Sequence, residues 1–153
     1  MQATDQFTAT LQEWVAVFMR RSMRNYIRYA REIGLSIPQV NTLFHINRKG
    51  GCGVSDIGET LGVTSAAASQ MLDRLVQQDL ILRSEDPADR RAKQLALTEK
   101  GFQVVHDGIH ARQGWLDGLA GMLSDSEKEQ VTIGLIILIE KTKQLEDPAE
   151  GEI

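Results

Sequence analysis

Between residues 7 and 31 the mostly apolar positions Leu11, Val15, Phe18, Ser22/Met23, Tyr26/Ile27 and Ala30 recur at intervals of three and four. That spacing lines one face of a helix and predicts a long helix over 7–31. Gly34 is placed to end it, and Pro38 suits the first turn of a second helix over 38–47. RKGGCG, residues 48–53, carries no period and reads as a loop. A short helix follows over 55–61, with Ser55 as its N-cap and Asp56 in its first turn. Gly62 offers the left-handed position that closes it. Thr64 caps another helix over 65–78. The strand-like runs 81–85 and 93–97 then form a hairpin. Thr98 caps a long helix reaching residue 122. SDSE, residues 124–127, is a capping box that opens a last helix to residue 145. The tail, EDPAEGEI, is acidic, and the chain shows no internal repeat.

The middle of this order carries the chemistry. Residues 54–78 have the form of a helix-turn-helix: Ile57 and Leu61 lie one turn apart on the first helix, and Val63 fills the corner. On the second helix, at 100° per residue, Ala68, Met71, Leu72, Leu75 and Val76 gather on one side. The other side holds Ala66, Ser69, Gln70, Asp73, Arg74 and Gln77, and its first turn and a half is built of the small residues Ser65, Ala66, Ala67 and Ser69. Small side chains let a helix end approach another surface closely, as the N-terminal end of a recognition helix does in a major groove. Gln70 can pair bidentately with adenine, Arg74 can reach guanine or phosphate, and Ser65 or Ser69 can contact either. A packed helix pair with a glycine corner would need none of this, and Asp73 on the polar face repels phosphate unless it is paired.

The loop between the strands, Asp86-Pro87-Ala88-Asp89-Arg90-Arg91, tips the balance. Asp86-Pro87 already supplies the turn chemistry, so the two arginines are surplus to the turn. A hairpin directly after a helix-turn-helix makes a winged helix, and arginines at its tip can enter an adjacent minor groove. Asp86 or Asp89 can hold one guanidinium in a bidentate pair. As an isolated surface ion-pair loop the segment would contribute little to stability.

Composition sets bounds on this reading. With 153 residues, 42% of them hydrophobic and 25% charged, the chain is of ordinary globular make-up and long enough to bury a core. Its densest apolar run, residues 131–139, falls well short of the roughly 20 residues of a membrane span. The N-terminus lacks the basic and apolar regions of a secretory leader, and a single cysteine, Cys52, fits a reducing cytoplasm. The net charge is −4, and residues 54–101 carry six basic residues against eight acids. DNA binding would therefore rest on a few placed arginines rather than on a broad positive field.

The segments QMLDRLVQQDLI (residues 70–81) and DPADRRAKQLALTEKG (residues 86–101) carry a resemblance to a known family. The second has a D-x-x-D-x-R wing followed by L-x-L-T-x-x-G. In these motifs, and in the order of its helices and hairpin over residues 7–145, the chain resembles the MarR family of transcriptional regulators. The resemblance implies a mainly α fold with a small β-hairpin, in which a winged helix-turn-helix DNA-binding lobe joins a helical dimerisation domain. It places the lobe at 35–101, with the helix-turn-helix at 54–78 and the wing at 80–98. Residues 1–34 and 122–153 form the dimerisation region, and 98–122 the connecting helix. It further implies a homodimer whose first and last helices interlock and which reads a pseudo-palindromic operator in double-stranded DNA. Such a regulator usually represses, and a small-molecule effector lodged between the dimer helices and the DNA lobe releases it. Carried over residue by residue, Ser65, Ala66, Ser69, Gln70 and Arg74 become recognition-helix contacts, Arg90 and Arg91 wing contacts, and Asp89 the acid that braces the wing.

Other features have plainer readings. Arg20, Arg24, Arg28 and Arg31 form a stripe on the first helix that reads as a solvated face pairing with acids such as Glu32. The last helix, with Val131, Leu135, Ile136, Ile137, Leu138 and Ile139, is apolar nearly all round and requires burial, which points to dimerisation. Gly114, Gly118 and Gly121 weaken the preceding helix. His106 and His110, one turn apart, read as a surface pair rather than as metal ligands, and Cys52 has no neighbouring histidine to activate it. By position alone, Met19, Met23, Tyr26 and His45 are candidates for an effector pocket. No metal, cofactor or catalytic constellation is indicated, so the chain does not read as an enzyme. The alternative is a winged helix that docks proteins; wing arginines and a small polar recognition face favour DNA.

Overall fold

The computed structural model describes residues 2–85 and 93–145. Seven helices and three strands follow one another among them: α1 (Gln2–Glu32), α2 (Ile37–Lys49), β1 (Cys52–Gly53), α3 (Val54–Leu61), α4 (Ser65–Gln77), β2 (Ile81–Glu85), β3 (Lys93–Leu97), α5 (Glu99–Gln113), α6 (Trp115–Met122) and α7 (Asp125–Thr142). One compact unit runs through Trp115, and a second begins at Leu116.

Local chemistry sets most of the helix ends. Gly34 (φ +70°) closes α1, donating to the Arg31 carbonyl at 3.1 Å, while Leu35 N–H reaches the Ala30 carbonyl at 2.9 Å. Ser36 then caps α2 in a reciprocal box, its N–H donating to Gln39 Oε1 at 2.8 Å. Pro38 falls in the first turn, as expected, although the helix begins at Ile37. Gly62 (φ +62°) ends α3, and the Thr64 hydroxyl accepts from Ala67 N–H at the start of α4. The hairpin strands fall where alternation places them, paired antiparallel from Ile81↔Leu97 to Glu85↔Lys93.

Four expectations need correction. Residues 48–53 are not all loop: Gly50 (φ +67°) closes α2, and β1 pairs antiparallel with β3 through Cys52↔Leu95 and Gly53↔Gln94. The sheet therefore has three strands in the order β1-β3-β2. The N-cap of α3 is Gly53 and not Ser55, because the Asp56 carboxylate reaches back to accept from Gly53 N–H at 3.0 Å. The single helix expected over 98–122 is divided, with Gly114 lying between α5 and α6 where glycine's weak helix propensity allows the break. Val76, expected on the buried side of α4, is 38% exposed, so burial on that helix falls to Ala68, Leu72 and Leu75.

The core of the first unit packs α1, α2, α3, α4 and α5 against the sheet. Leu43, Ile46, Ile57, Leu72, Leu75, Ile81 and Leu95 are fully enclosed. Each such side chain contributes about 1.5–3 kcal/mol relative to an exposed one. Helix α5 comes close to its neighbours at two glycines. A Cβ on Gly108 would sit 3.1 Å from the Phe44 ring and 3.2 Å from the Tyr29 ring. A Cβ on Gly101 would overlap the Leu80 carbonyl oxygen, which is backbone and cannot swing aside. The glycine of the L-T-x-x-G motif is thus fixed by close approach rather than by an unusual backbone angle. Gly101→Ala is expected to destabilise the fold by about 3 kcal/mol, through overpacking against a rigid neighbour. Urea unfolding at fixed protein concentration measures this, and an unchanged midpoint would contradict the packing described.

Candidate nucleic-acid interface

The candidate interface is built on α4. With Ala68, Leu72 and Leu75 turned into the core, the helical period leaves Ser65, Ala66, Gln70, Asp73 and Arg74 exposed on the other side and Ser69 half-buried. The five recognition contacts expected from the sequence therefore share one outward arc of a single helix. Thr64 caps its start, so the first-turn amides and the small side chains of Ser65 and Ala66 lie at an accessible helix N-terminus. Asp73, which would oppose phosphate if left alone, is paired: Arg83 Nη1 lies 2.6 Å from its Oδ1. Arg83 Nη2 also donates to the Ser69 carbonyl at 3.4 Å. Sequence reasoning missed Arg83. Two signals were present: an unpaired acid on a face meant for phosphate, and an arginine two residues along β2 from Ile81, hence on the same side of the strand.

The hairpin β2–β3 projects beyond α4 in sequence as a wing would. Its tip, with the expected contacts Arg90 and Arg91 and the bracing acid Asp89, lies outside the described residues. At its base the wing is tied to the end of α4 and the start of α5. Thr98 Oγ1 donates to the Asp79 carbonyl at 2.7 Å, Thr98 N–H to the Leu80 carbonyl at 3.1 Å, and Lys100 Nζ to the Gln78 carbonyl at 2.9 Å.

The four residues named for an effector pocket are not gathered around one described cavity. Met19 and Met23 are exposed on α1, and Met23 lines an open groove of about 580 Å³ with Ile27, Arg20, Arg24, Arg28 and Arg31. Within that arginine stripe, Arg28 pairs with Glu32 at 3.8 Å. Tyr26 belongs to the core: its hydroxyl donates to Asn41 Oδ1 at 2.6 Å, Phe44 meets it edge-on, and the Arg112 guanidinium lies 5.1 Å from its ring centre. Burial raises the Tyr26 pKa, and Arg112 partly offsets the effect. His45 is also buried, and its Nε2 has no hydrogen-bond partner among the described residues. Burial, then the charges of Lys49 and Arg48, lower its pKa.

His106 and His110 face each other from successive turns of α5, Nε2 to Nε2 at 3.2 Å, with His106 Nδ1 3.3 Å from Asp107. Both are exposed, and no group of three metal-ligating side chains occurs among the described residues. Cys52 is enclosed in β1, where burial and then the Asp56 carboxylate push the thiol pKa up, away from the reactive thiolate.

A helix-turn-helix whose second helix bares a small polar arc, followed by a hairpin, defines a winged-helix protein, and the comparisons agree. Residues 35–93 match the MarR family model. YfiV of Bacillus subtilis, an uncharacterised HTH-type transcriptional regulator, is 34% identical over 110 residues, which cover 70% of this chain and 67% of YfiV. The transcriptional regulator Tm0710 of Thermotoga maritima superimposes with a TM-score of 0.79 at 23% identity, covering 92% of this chain and 96% of its own. A point mutant of MepR from Staphylococcus aureus, bound to an oligodeoxyribonucleotide, superimposes with a TM-score of 0.70 at 22% identity, covering 86% and 97%. The chain belongs to the MarR family; it is a DNA-binding transcriptional regulator and not an enzyme.

His45, buried on α2, gives the stability of the fold a defined response to pH. A buried imidazole with a lowered pKa favours the neutral form when folded, whereas the unfolded chain takes up the proton near pH 6.5. The stability that depends on neutral His45 is therefore complete above about pH 6.5 and lost as the pH falls below it. His45→Leu is expected to remove this limb. Comparing urea midpoints of the two proteins at pH 7.5 and 5.5, the variant should gain relative to wild type at the lower pH. A constant gap would mean that His45 protonates equally well in both states.

Proposed function

We propose that this protein acts in the cytoplasm as a homodimeric repressor, reading a pseudo-palindromic operator with one α4 in each half-site and released by a small-molecule effector. The observation that carries the reading is the outward arc of α4: Ser65, Ala66, Ser69, Gln70 and Arg74 share one side of a capped helix directly ahead of a hairpin. Ser65 and Ala66 admit the helix end to the major groove, Gln70 and Arg74 read base edges or phosphate, and Ser69 adds a hydroxyl contact. Arg90 and Arg91 reach the flanking minor groove, with Asp89 fixing one guanidinium. In this division residues 35–101 form the DNA lobe, 98–122 connect, and 1–34 with 122–153 form the dimerisation region. Oligonucleotide binding by the MepR mutant, a protein of the same fold, supports the DNA reading.

Two apolar surfaces support dimerisation. On α7, Val131, Ile133, Leu135, Ile136, Ile137 and Ile139 are each between 43% and 56% exposed. On α1, Phe7, Val15, Met19 and Met23 are between 42% and 56% exposed. A second copy is the partner that removes both from water, at about 1 kcal/mol for each half-exposed side chain covered. No helix among the described residues is long and apolar enough to cross a membrane. Effector binding along α1 is supported by the groove that Met23 and Ile27 line with the arginines; the other candidates, Met19, Tyr26 and His45, do not line it.

Selection of duplexes from a randomised pool tests the DNA reading. The wild-type protein is expected to enrich an inverted repeat, and Arg90→Ala/Arg91→Ala to bind it at least about tenfold more weakly. With so little positive charge on the lobe, the plot of log affinity against log salt should have a slope corresponding to fewer than ten phosphate contacts per dimer, at about 0.9 each. Recovery of no repeat at low salt, or a steeper slope, would contradict the model. For assembly, Ile136→Glu/Ile139→Glu should place charges in the covered face and yield monomers at micromolar concentration in sedimentation velocity. A variant that still sediments as a dimer would exclude α7 from the interface.

A further inference from the structure

We propose that Arg83 is a positioning residue for DNA reading: its guanidinium clamps strand β2 of the wing to the recognition helix, so that α4 and the hairpin dock as one body. The proposal rests on the reading of α4 and the hairpin as the DNA-contacting surface. Ser69 and Asp73 are four residues apart, hence one turn apart on the same stripe of α4. One nitrogen of the Arg83 fork holds the Asp73 carboxylate at 2.6 Å, and the other donates to the Ser69 carbonyl at 3.4 Å. The Ser69 carbonyl points along the helix toward Asp73, so the fork grips one spot of α4 through a backbone and a side-chain acceptor, from a strand that follows it in sequence. Two contacts made by a planar group fix a direction as well as a distance, which a lysine's point charge would not do.

The surroundings favour positioning over direct contact. The Arg83 side chain is only 25% exposed, and its Nε is enclosed without a partner among the described residues. Its neighbour Leu82 points to the opposite side of the strand and is 56% exposed. The Asp73 carboxylate is 55% exposed, so the pair is a surface ion pair of small worth to folding stability. Its consequence lies in the DNA-facing arc. Ser69 and Asp73 alternate there with Gln70 and Arg74, and without Arg83 the arc would present a bare acid to phosphate while β2 lost this side-chain tie to the middle of α4, leaving only the contacts at the base of the hairpin described above. Arg83 acts through Asp73 and the Ser69 carbonyl; it does not read a base.

The test compares wild type, Arg83→Gln, Asp73→Asn and the double variant on two duplexes: the repeat that wild type selects from a randomised pool, and a scrambled version of it. The readout is the ratio of the two affinities. Each single variant is expected to lower that ratio about tenfold, as loss of one charge-assisted hydrogen-bond pair would. The double variant should lose no more than either single, because both remove the same clamp. Asp73→Asn should bind the scrambled duplex more tightly than wild type, having lost a negative charge, and still select poorly. Arg83→Lys, which keeps the ion pair but not the fork, should recover part of the ratio. The salt slope should stay at the wild-type value in Arg83→Gln. A slope reduced by about 0.9 per subunit would make Arg83 a phosphate contact and overturn the proposal. Retained selection in Arg83→Gln, or losses that multiply in the double variant, would overturn it as well. If wild type itself selects no repeat, the DNA reading fails and the clamp fails with it. If wild type selects and the variants select equally, the clamp alone fails.

Discussion

The carbonyls at the end of α4 are the constraint on which the rest of the first unit depends. A helix ends with carbonyls that its own backbone cannot satisfy. Here the last α4 carbonyls, of Arg74, Leu75 and Val76, accept from the amides of Gln78, Leu80 and Asp79. The carbonyls of that corner, Gln78, Asp79 and Leu80, are met by Lys100 Nζ, the Thr98 hydroxyl and the Thr98 amide. The donors are the N-cap of α5 and a lysine of its first turn, so the C-terminal end of α4 meets the N-terminal start of α5. The contact is tight enough that only glycine fits at position 101. The chain reaches it through Asp79 in a left-handed conformation (φ +58°), from which Leu80 N–H closes back onto the Leu75 carbonyl at 2.9 Å. Helix α4, the β2–β3 hairpin and α5 are therefore set by a single corner. A change in the direction of α5 at this point has to move α4 or break the corner.

Much of this was legible along the chain because it is local. Caps at Thr64, Thr98 and Ser124, left-handed glycines at 34 and 62, and the limits of both hairpin strands follow from a few adjacent residues, and the structure places them there. Long-range pairings were not legible. Strand β1 is two residues long and has no periodicity of its own; it exists because Leu95 and Gln94 lie opposite it. The start of α3 is fixed by Asp56 reaching back to Gly53, two residues ahead of the Ser55 cap expected from the sequence. Glycines 114, 118 and 121 announced a weak helix without saying which of them would interrupt it. L-T-x-x-G could be read as a motif, but its reason, the Leu80 carbonyl, is 21 residues away in sequence.

The candidate site divides in the same manner. The arc of α4 was legible, since 100° per residue separates Leu72 and Leu75 from Gln70 and Arg74 without any tertiary knowledge. Arg83 was not, because its role requires β2 to lie beside α4. Tyr26 and His45 looked like pocket residues by position, yet each is engaged in the core, Tyr26 by Asn41 and Phe44 and His45 by burial. Polar side chains in an otherwise apolar pattern do not by themselves separate a binding cavity from a hydrogen-bonded interior.

Charge and rigidity then belong to one argument. A lobe with more acids than bases cannot rely on a broad electrostatic field to hold DNA, so its few cations have to be well placed. Placement requires a stiff frame, and the contacts behind α4 supply one. Gly108 lets α5 lie against Tyr29 of α1 and Phe44 of α2, and the Tyr29 hydroxyl donates to the Val104 carbonyl at 2.8 Å. About two turns nearer its start, the same α5 carries the corner that holds α4. Packed side chains and hydrogen bonds run from α1 and α2 through α5 to α4, and close-packed contacts of this kind pass a shift on rather than absorb it. On the proposed reading of α4, the stiffness that places its few charges also leaves that face exposed to any change in how α1 and α2 pack on α5.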